Sequence, residues 1–204
     1  MRVIKILTLM SVAASVYASS VIDFAIEPTR ALSGSYMHAK DRKVHWTIAG
    51  EYGWLLNEHL TLGPNLNFVW HLDKNRNTVD YNTYLVHSKE RVIMIPVSVF
   101  IIVDPIPQYM IHPVLHAQAG YNSVFISNVN YNSSDKNAVK EFDGYYNGII
   151  GKFSLECMVD VGKSISLFVG PQWQFSTTER RGKGYHYERK FNGFGLRFGV
   201  SALL

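Results

Sequence analysis

Cysteine is almost missing from this chain. Cys157 is the single one among 204 residues, so no internal disulfide can form and the fold must be held by packing and hydrogen bonds. Its distance from the N-terminus also excludes the acylated first residue of a lipoprotein. Long hydrophobic runs are lacking too. After the first twenty residues no stretch approaches about 18 uncharged apolar residues, which excludes a protein that crosses a membrane by helices. Charge of one sign is scarce: the formal balance is +4, and losing Arg2 and Lys5 with a leader would leave +2. That is too little for a nucleic-acid partner, so the basic pI of 9.1 says little about function.

The leader is itself readable. Met1 to Ser20 has a charged start in Arg2 and Lys5, an apolar run from Ile6 to Val16, and the small-residue site Val16-Tyr17-Ala18, the layout of a secretory signal. Cleavage is expected after Ala18. The expected organisation is therefore a signal peptide at 1–18 and one domain at 19–204, a length that suits one domain and is short for two.

What is abundant is alternation. From Val44 to Leu72, Val44, Trp46, Ile48, Gly50, Tyr52 and Trp54 share one parity, and after Leu56-Asn57-Glu58 the pattern resumes with Leu60, Leu62, Pro64, Leu66, Phe68, Trp70 and Leu72. Such period-2 patterning broken by three residues is a β-hairpin, here apolar on one side without a charge. The same rhythm returns at Val21–Thr29, Tyr109–Phe125, Tyr145–Val159, Ile165–Phe175 and Phe194–Leu204. Arg91 to Val103 alternates least and reads as a strand buried on both faces. Tight turns are expected at Leu56-Asn57-Glu58, Asp104-Pro105-Ile106-Pro107 and Val161-Gly162. A polar turn region at His38–Lys43 and long polar loops at Asp73–Lys89, Ser127–Asp143 and Thr177–Lys190 fall between them.

Eight strands with alternating tight and long connections predict an all-β fold, a closed eight-stranded antiparallel up-and-down transmembrane β-barrel. Strands of ten to fourteen residues exceed the usual soluble length and match the roughly nine to eleven needed to cross a bilayer at a tilt. Polarity sets which face is out. The Trp, Leu, Phe and Tyr set is too bulky for the interior of eight strands, whereas the polar and glycine set fits it. Lipid requires every backbone group to be paired, which a closed barrel achieves. Trp46, Trp70 and Tyr121 near loop ends, with Trp54 and Tyr109 near turn ends, are placed as interfacial girdles would be. Pro28, Pro64, Pro113 and Pro171 recur on the outward parity of alternate strands, where bulges or bends are expected.

Several stretches carry a resemblance: Ile95-Pro96, His112-Pro113-Val114-Leu115 with Ala119-Gly120-Tyr121, Gly162-Lys163-Ser164-Ile165-Ser166-Leu167, and Phe191-Asn192-Gly193-Phe194-Gly195-Leu196-Arg197-Phe198-Gly199-Val200. Through them the chain resembles the small eight-stranded outer-membrane barrels of the OmpA/OmpX type, and more closely the porin-like outer-membrane β-barrel domain family. The resemblance implies the cell outer membrane as location, outer-membrane lipid as surroundings, assembly by the barrel insertion machinery, and a monomer. Such barrels usually end on an aromatic residue; this chain ends Ala202-Leu203-Leu204.

Candidate functional residues follow from parity. Glu51, Lys152, Glu156 and Arg197, with Gln118, Gln172, Asn65 and Asn67, are expected inside as a lumen network of paired charges that fills the barrel. The competing use of the same residues is a narrow ion or water path. Arg180, Arg181, Lys183, Arg189 and Lys190 on the last loop are the expected contacts to anionic headgroups, lipopolysaccharide or a surface polymer, against a plainly solvated loop. His112 and His116 stand four apart on one strand, about 13 Å, too far to share an ion. No metal or cofactor is expected. His87-Ser88 point opposite ways in extended chain and no other pair of that kind stands out, so no catalytic residue is assigned. The Asn132-Ser133-Ser134 sequon reads as chance in a bacterial-type barrel. The expected role is structural or surface-interacting rather than enzymatic. A soluble exported barrel holding an apolar ligand is the rival.

Overall fold

The computed structural model describes residues 20–34, 44–75, 88–130, 143–182 and 185–204. The expected leader, the His38–Lys43 turn region, His87 of the His87-Ser88 pair, the sequon and Lys183 lie outside what is described. Eight strands follow in chain order: β1 (Ser20–Gly34), β2 (Val44–Asn57), β3 (Leu60–Asn75), β4 (Ser88–Val103), β5 (Ile111–Asn130), β6 (Gly144–Asp160), β7 (Ile165–Gly182) and β8 (Tyr185–Leu203). Each pairs antiparallel with the next and β8 pairs with β1, so the sheet closes into a barrel with no free edge.

Closure is staggered. Starting at Phe24 and stepping across the ladder through Gly50, Leu66, Val97, Tyr121, Ile149 and Thr177, the path arrives at Lys190. That is ten residues from Val200, which faces Phe24 directly on β8. A stagger of this kind tilts the strands against the barrel axis and fixes the interior at a bore that side chains fill.

The tight turns fall as expected. Only 58–59, 104–110 and 161–164 separate β2 from β3, β4 from β5 and β6 from β7, so these three connections share one rim. The other rim differs from expectation at all three polar stretches: strand takes in 73–75 and 88–89 of Asp73–Lys89 and 127–130 of Ser127–Asp143, and the change is largest in the third. Thr177–Lys190 is not a loop: β7 runs to Gly182 and β8 starts at Tyr185, with Thr177↔Lys190, Glu179↔Glu188 and Arg181↔His186 paired across the ladder. The β-branched Thr177 and Thr178 and the alternation of charges with Tyr185, His186 and Tyr187 let the ladder continue beyond the apolar band.

The faces separate as the bulk of their side chains demands. Trp46, Leu66 and Trp70 are 57, 58 and 59% exposed, while Glu51 and Lys152 are each 3% exposed and Arg197 is 0%. β4 is a partial correction to a strand buried on both faces: its inward row, Val92, Met94, Phe100 and Ile102, is buried, but Ile93, Val97, Val99 and Ile101 stand outside and exposed. It alternates too little because both of its faces meet apolar surroundings. Inside, apolar side chains gather at the two ends. Val69, Val92, Met94, Val124, Ile126 and Tyr146 cluster toward the loop rim, and Phe100, Ile102 and Val114 pack with Met158 toward the turn rim.

The prolines do not mark bulges. The ladder register is unchanged on both sides of Pro28, Pro64, Pro113 and Pro171, and the shifts in the described ladders fall between Ala31 and Ser33 and between Leu55 and Asn57. Close backbone approach falls at glycines instead. A Cβ on Gly63 would strike the Tyr52 carbonyl oxygen, and one on Gly170 the Leu155 carbonyl oxygen. Gly120, Gly148, Gly195 and Gly199 meet neighbouring carbonyls in the same way without a proline after them, so the approach belongs to the ladder and not to the prolines.

Gly170→Ala should therefore destabilise the barrel by about 1–3 kcal/mol through backbone overpacking. Gly50, with nothing within 4 Å of an added Cβ, should tolerate alanine to within about 0.5 kcal/mol. Urea unfolding of the two variants followed by tryptophan fluorescence checks the contrast.

Candidate functional site: the charged layer inside the barrel

Inward parity brings the charges of four strands to one level. Arg197 comes from β8, Glu27 from β1, Glu51 from β2, and Lys152 and Glu156 from β6, with His116 of β5 beside them. All are buried. A guanidinium has five N–H donors in a fixed fork and is costly to bury unless acceptors surround it. Arg197 has a carboxylate on each of three sides. Its Nη1 donates to both oxygens of Glu156 at 2.8 Å, Nη2 donates to Glu51 Oε2 at 2.8 Å, and Nε lies 3.3 Å from Glu27 Oε1. The Phe168 ring closes a fourth side, its centroid 4.5 Å from the guanidinium carbon.

Glu27 is shared. Its Oε2 accepts from Lys152 Nζ and, at 3.2 Å, from Gln172 Nε2. Glu51 Oε1 accepts from Asn65 Nδ2 and lies 3.3 Å from His116 Nε2. A neutral chain continues the network: Ser98 Oγ donates to Asn65 Oδ1 and Gln118 Oε1 at 3.1 and 3.2 Å, and Asn67 Nδ2 reaches Gln118 Oε1 at 3.1 Å. Asn67, Gln118, Asn122 and Gln172 each keep one polar atom without a protein partner, the kind of position where interior water binds.

The lumen residues expected from parity, Glu51, Lys152, Glu156, Arg197, Gln118 and Gln172, thus lie in one connected layer, with Asn65 and Asn67. Two members were not anticipated. Glu27 and Asp23 share the inward parity of β1, opposite to Ile22, Phe24 and Ile26, so the same alternation could have found them. Asp23 bonds to Ser201 and is likewise buried.

A serine, a histidine and a carboxylate do meet here. Ser154 Oγ is 3.4 Å from His116 Nδ1, whose Nε2 faces Glu51; the two residues sit on neighbouring strands, 38 positions apart, where sequence proximity gives no hint. The arrangement lacks the means to act as a nucleophile. Ser154 donates its hydroxyl to Glu156, and both Ser154 and His116 are 0% exposed. Among the described residues no cluster of three or more metal-ligating groups forms.

The basic residues of the β7–β8 hairpin do not share a face. Arg181 and Lys190 are exposed on the outer side, while Arg180 and Arg189 take the inward parity, with Arg180 Nη1 on the Asp143 carbonyl. On the outer side Arg181 Nε donates to Glu179 Oε2 at 2.7 Å and Lys190 lies 3.1 Å from Glu188. The bond from Arg181 holds the Glu179 carboxyl below the usual carboxylate range.

Taken with its closed eight-strand ladder and inverted polarity, this chain has the fold of the small eight-stranded outer-membrane β-barrels. Among solved structures it is similar to OprG from Pseudomonas aeruginosa (8% identity, 91% of this chain and 95% of that chain, TM-score 0.56). It is also similar to Ail, the attachment invasion locus protein of Yersinia pestis (6%, 91% and 98%, TM-score 0.52), and to Neisserial surface protein A (16%, 90% and 96%, TM-score 0.51). No protein-family model and no curated protein matches the sequence.

Removing Arg197 takes a cation from three buried carboxylates, of which Glu27 keeps Lys152. Arg197→Ala should cost about 3–5 kcal/mol, and adding Glu51→Gln should recover part of it, because one of the stranded charges is gone. Midpoints of heat-modifiability on gels measure both; an unshifted Arg197→Ala midpoint contradicts the network's role.

Proposed function

We propose that this protein is an integral barrel of the cell outer membrane, exported by a signal peptide cleaved after Ala18, with a structural or surface-interaction role and no enzymatic one. The observation that carries the reading is the inverted polarity. An apolar belt with Trp46, Leu66 and Trp70 more than half exposed would be an aggregation surface in water, yet in lipid it is the required exterior. A soluble ligand-binding barrel would turn these side chains inward, and the bore is taken up by charge.

The lumen in this reading is filled. Apolar clusters toward both rims bracket the charged layer, which supports a plug over a conducting path. Its partners are the outer-membrane lipid and, during assembly, the barrel insertion machinery; the barrel works as a monomer. Contact with anionic headgroups, lipopolysaccharide or a surface polymer falls to Arg181 and Lys190, the basic residues that stand outside on the hairpin. Arg180 and Arg189 line its inner side.

Three measurements test this. Cell fractionation should recover the protein in the outer membrane, folded barrel and boiled chain running apart on a gel. Leu66→Arg, at an exposed mid-strand position, should cost about 2–4 kcal/mol in a bilayer, whereas a soluble barrel would accept it freely. Arg181→Gln with Lys190→Gln should weaken binding to anionic vesicles at low salt, and Arg189→Gln should not.

A further inference from the structure

Asp23 and Glu51 stand directly opposite each other on the β1–β2 ladder, both on the inward row and both buried. Side chains opposed in this way are about 4.5–5.5 Å apart at Cβ, and two like charges there repel. Only one of the pair has a counter-ion. Glu51 Oε2 accepts from Arg197 Nη2 at 2.8 Å and its Oε1 from Asn65 Nδ2. Asp23 has only a hydroxyl, that of Ser201, which faces it across the β1–β8 seam. Its Oδ1 has no partner in the protein, although the residue is 2% exposed. A bare carboxylate oxygen in such a place is far costlier than the neutral acid.

The charges of the layer point the same way. Asp23, Glu27, Glu51 and Glu156 are four buried carboxyls, and the permanent cations among them are two, Arg197 and Lys152. Arg197 is spent on Glu27, Glu51 and Glu156, and Lys152 lies on Glu27. Charging His116, 3.3 Å from Glu51, would bring the cations to three against four. Among the described residues no ion pair reaches Asp23, so it is the carboxyl left over. Buried charge with no counter-ion is removed by protonation.

We propose that Asp23 is a proton-binding site: at neutral pH it holds a proton beside the ionised Glu51, and losing that proton loosens the barrel at β1. Release would set a second negative charge opposite Glu51, next to the seam where β1 meets β8. Solvent is one hydroxyl away, because Ser201 also lines a cavity of about 250 Å³ at the turn rim; the site therefore equilibrates with the surrounding pH. Glu27 on its own strand, Glu51 of β2, His116 of β5, Glu156 and Lys152 of β6, and Arg197 of β8 are the charged groups that set its proton affinity. The inference concerns the inside of the barrel and is independent of where the barrel resides.

The test uses the full barrel folded in detergent, its fold checked by heat-modifiability, with the aspartate carboxyls labelled with ¹³C. At neutral pH the infrared spectrum should contain the isotope-shifted carbonyl stretch of a protonated aspartic acid. Asp23→Asn should abolish that band, and Asp104→Asn with Asp160→Asn at the rim should keep it. Stability gives a second reading. Above about pH 6 ordinary carboxyls are ionised in the unfolded chain, so the native state holds one proton more, and stability falls as pH rises. Asp23 should account for up to a tenfold rise in the unfolding equilibrium constant per pH unit, a share that Asp23→Asn, neutral at every pH, removes; the histidine share stays. Should Asp23→Asn not fold, the rim double variant decides: a retained band supports the site. No labelled acid band at neutral pH, a band lost in the rim double variant, a band that survives Asp23→Asn, or a pH slope that Asp23→Asn leaves unchanged overturns the proposal.

Discussion

One buried guanidinium sets the terms for the rest of the interior. Arg197 has no exposure and three carboxylates around it, and in a medium of low dielectric such a group is tolerable only when every side is answered. The answers come from β1, β2 and β6, so the register of distant strands has to agree to within a residue for one side chain to be satisfied. A slip of one position on any of them would turn its carboxylate outward and leave the cation short. Lys152 then answers the second oxygen of Glu27, which Arg197 does not reach.

Much of this was legible in the chain, because a strand's period of two converts directly into two faces. Trp46, Leu66 and Phe153 against Glu51, Asn65 and Lys152 sort without ambiguity, and the three tight turns fix which rim is which. What parity cannot give is distance around the barrel. Ser154 and His116 face each other through the β5–β6 register, and Glu27 and Lys152 meet only through closure and stagger; linear spacing announces neither. Glu27 was within reach of the pattern, on the same side as Asp23, and was hidden only by its place beside Pro28.

The departures share a cause as well. The segment from Thr177 to Lys190 looks like a loop because it is polar, yet polarity reflects its position above the apolar band and not its backbone, which continues the ladder. β4 alternates weakly because Met94, Phe100 and Ile102 belong to the inner apolar clusters while Val97 and Val99 face out. The prolines imply distortion by their missing donors, but the register runs on unchanged past all four, which only the paired neighbours reveal.

Arg197 stands on the last strand and Glu27 on the first, and these two strands meet only when the cylinder shuts. Until that moment Arg197 has only Glu156, two strands back on its own side of the seam, and Glu27 has no cation at all. The seam is thus drawn together by its own electrostatic clasp, and the final joining step is also the step at which the interior first becomes tolerable to bury.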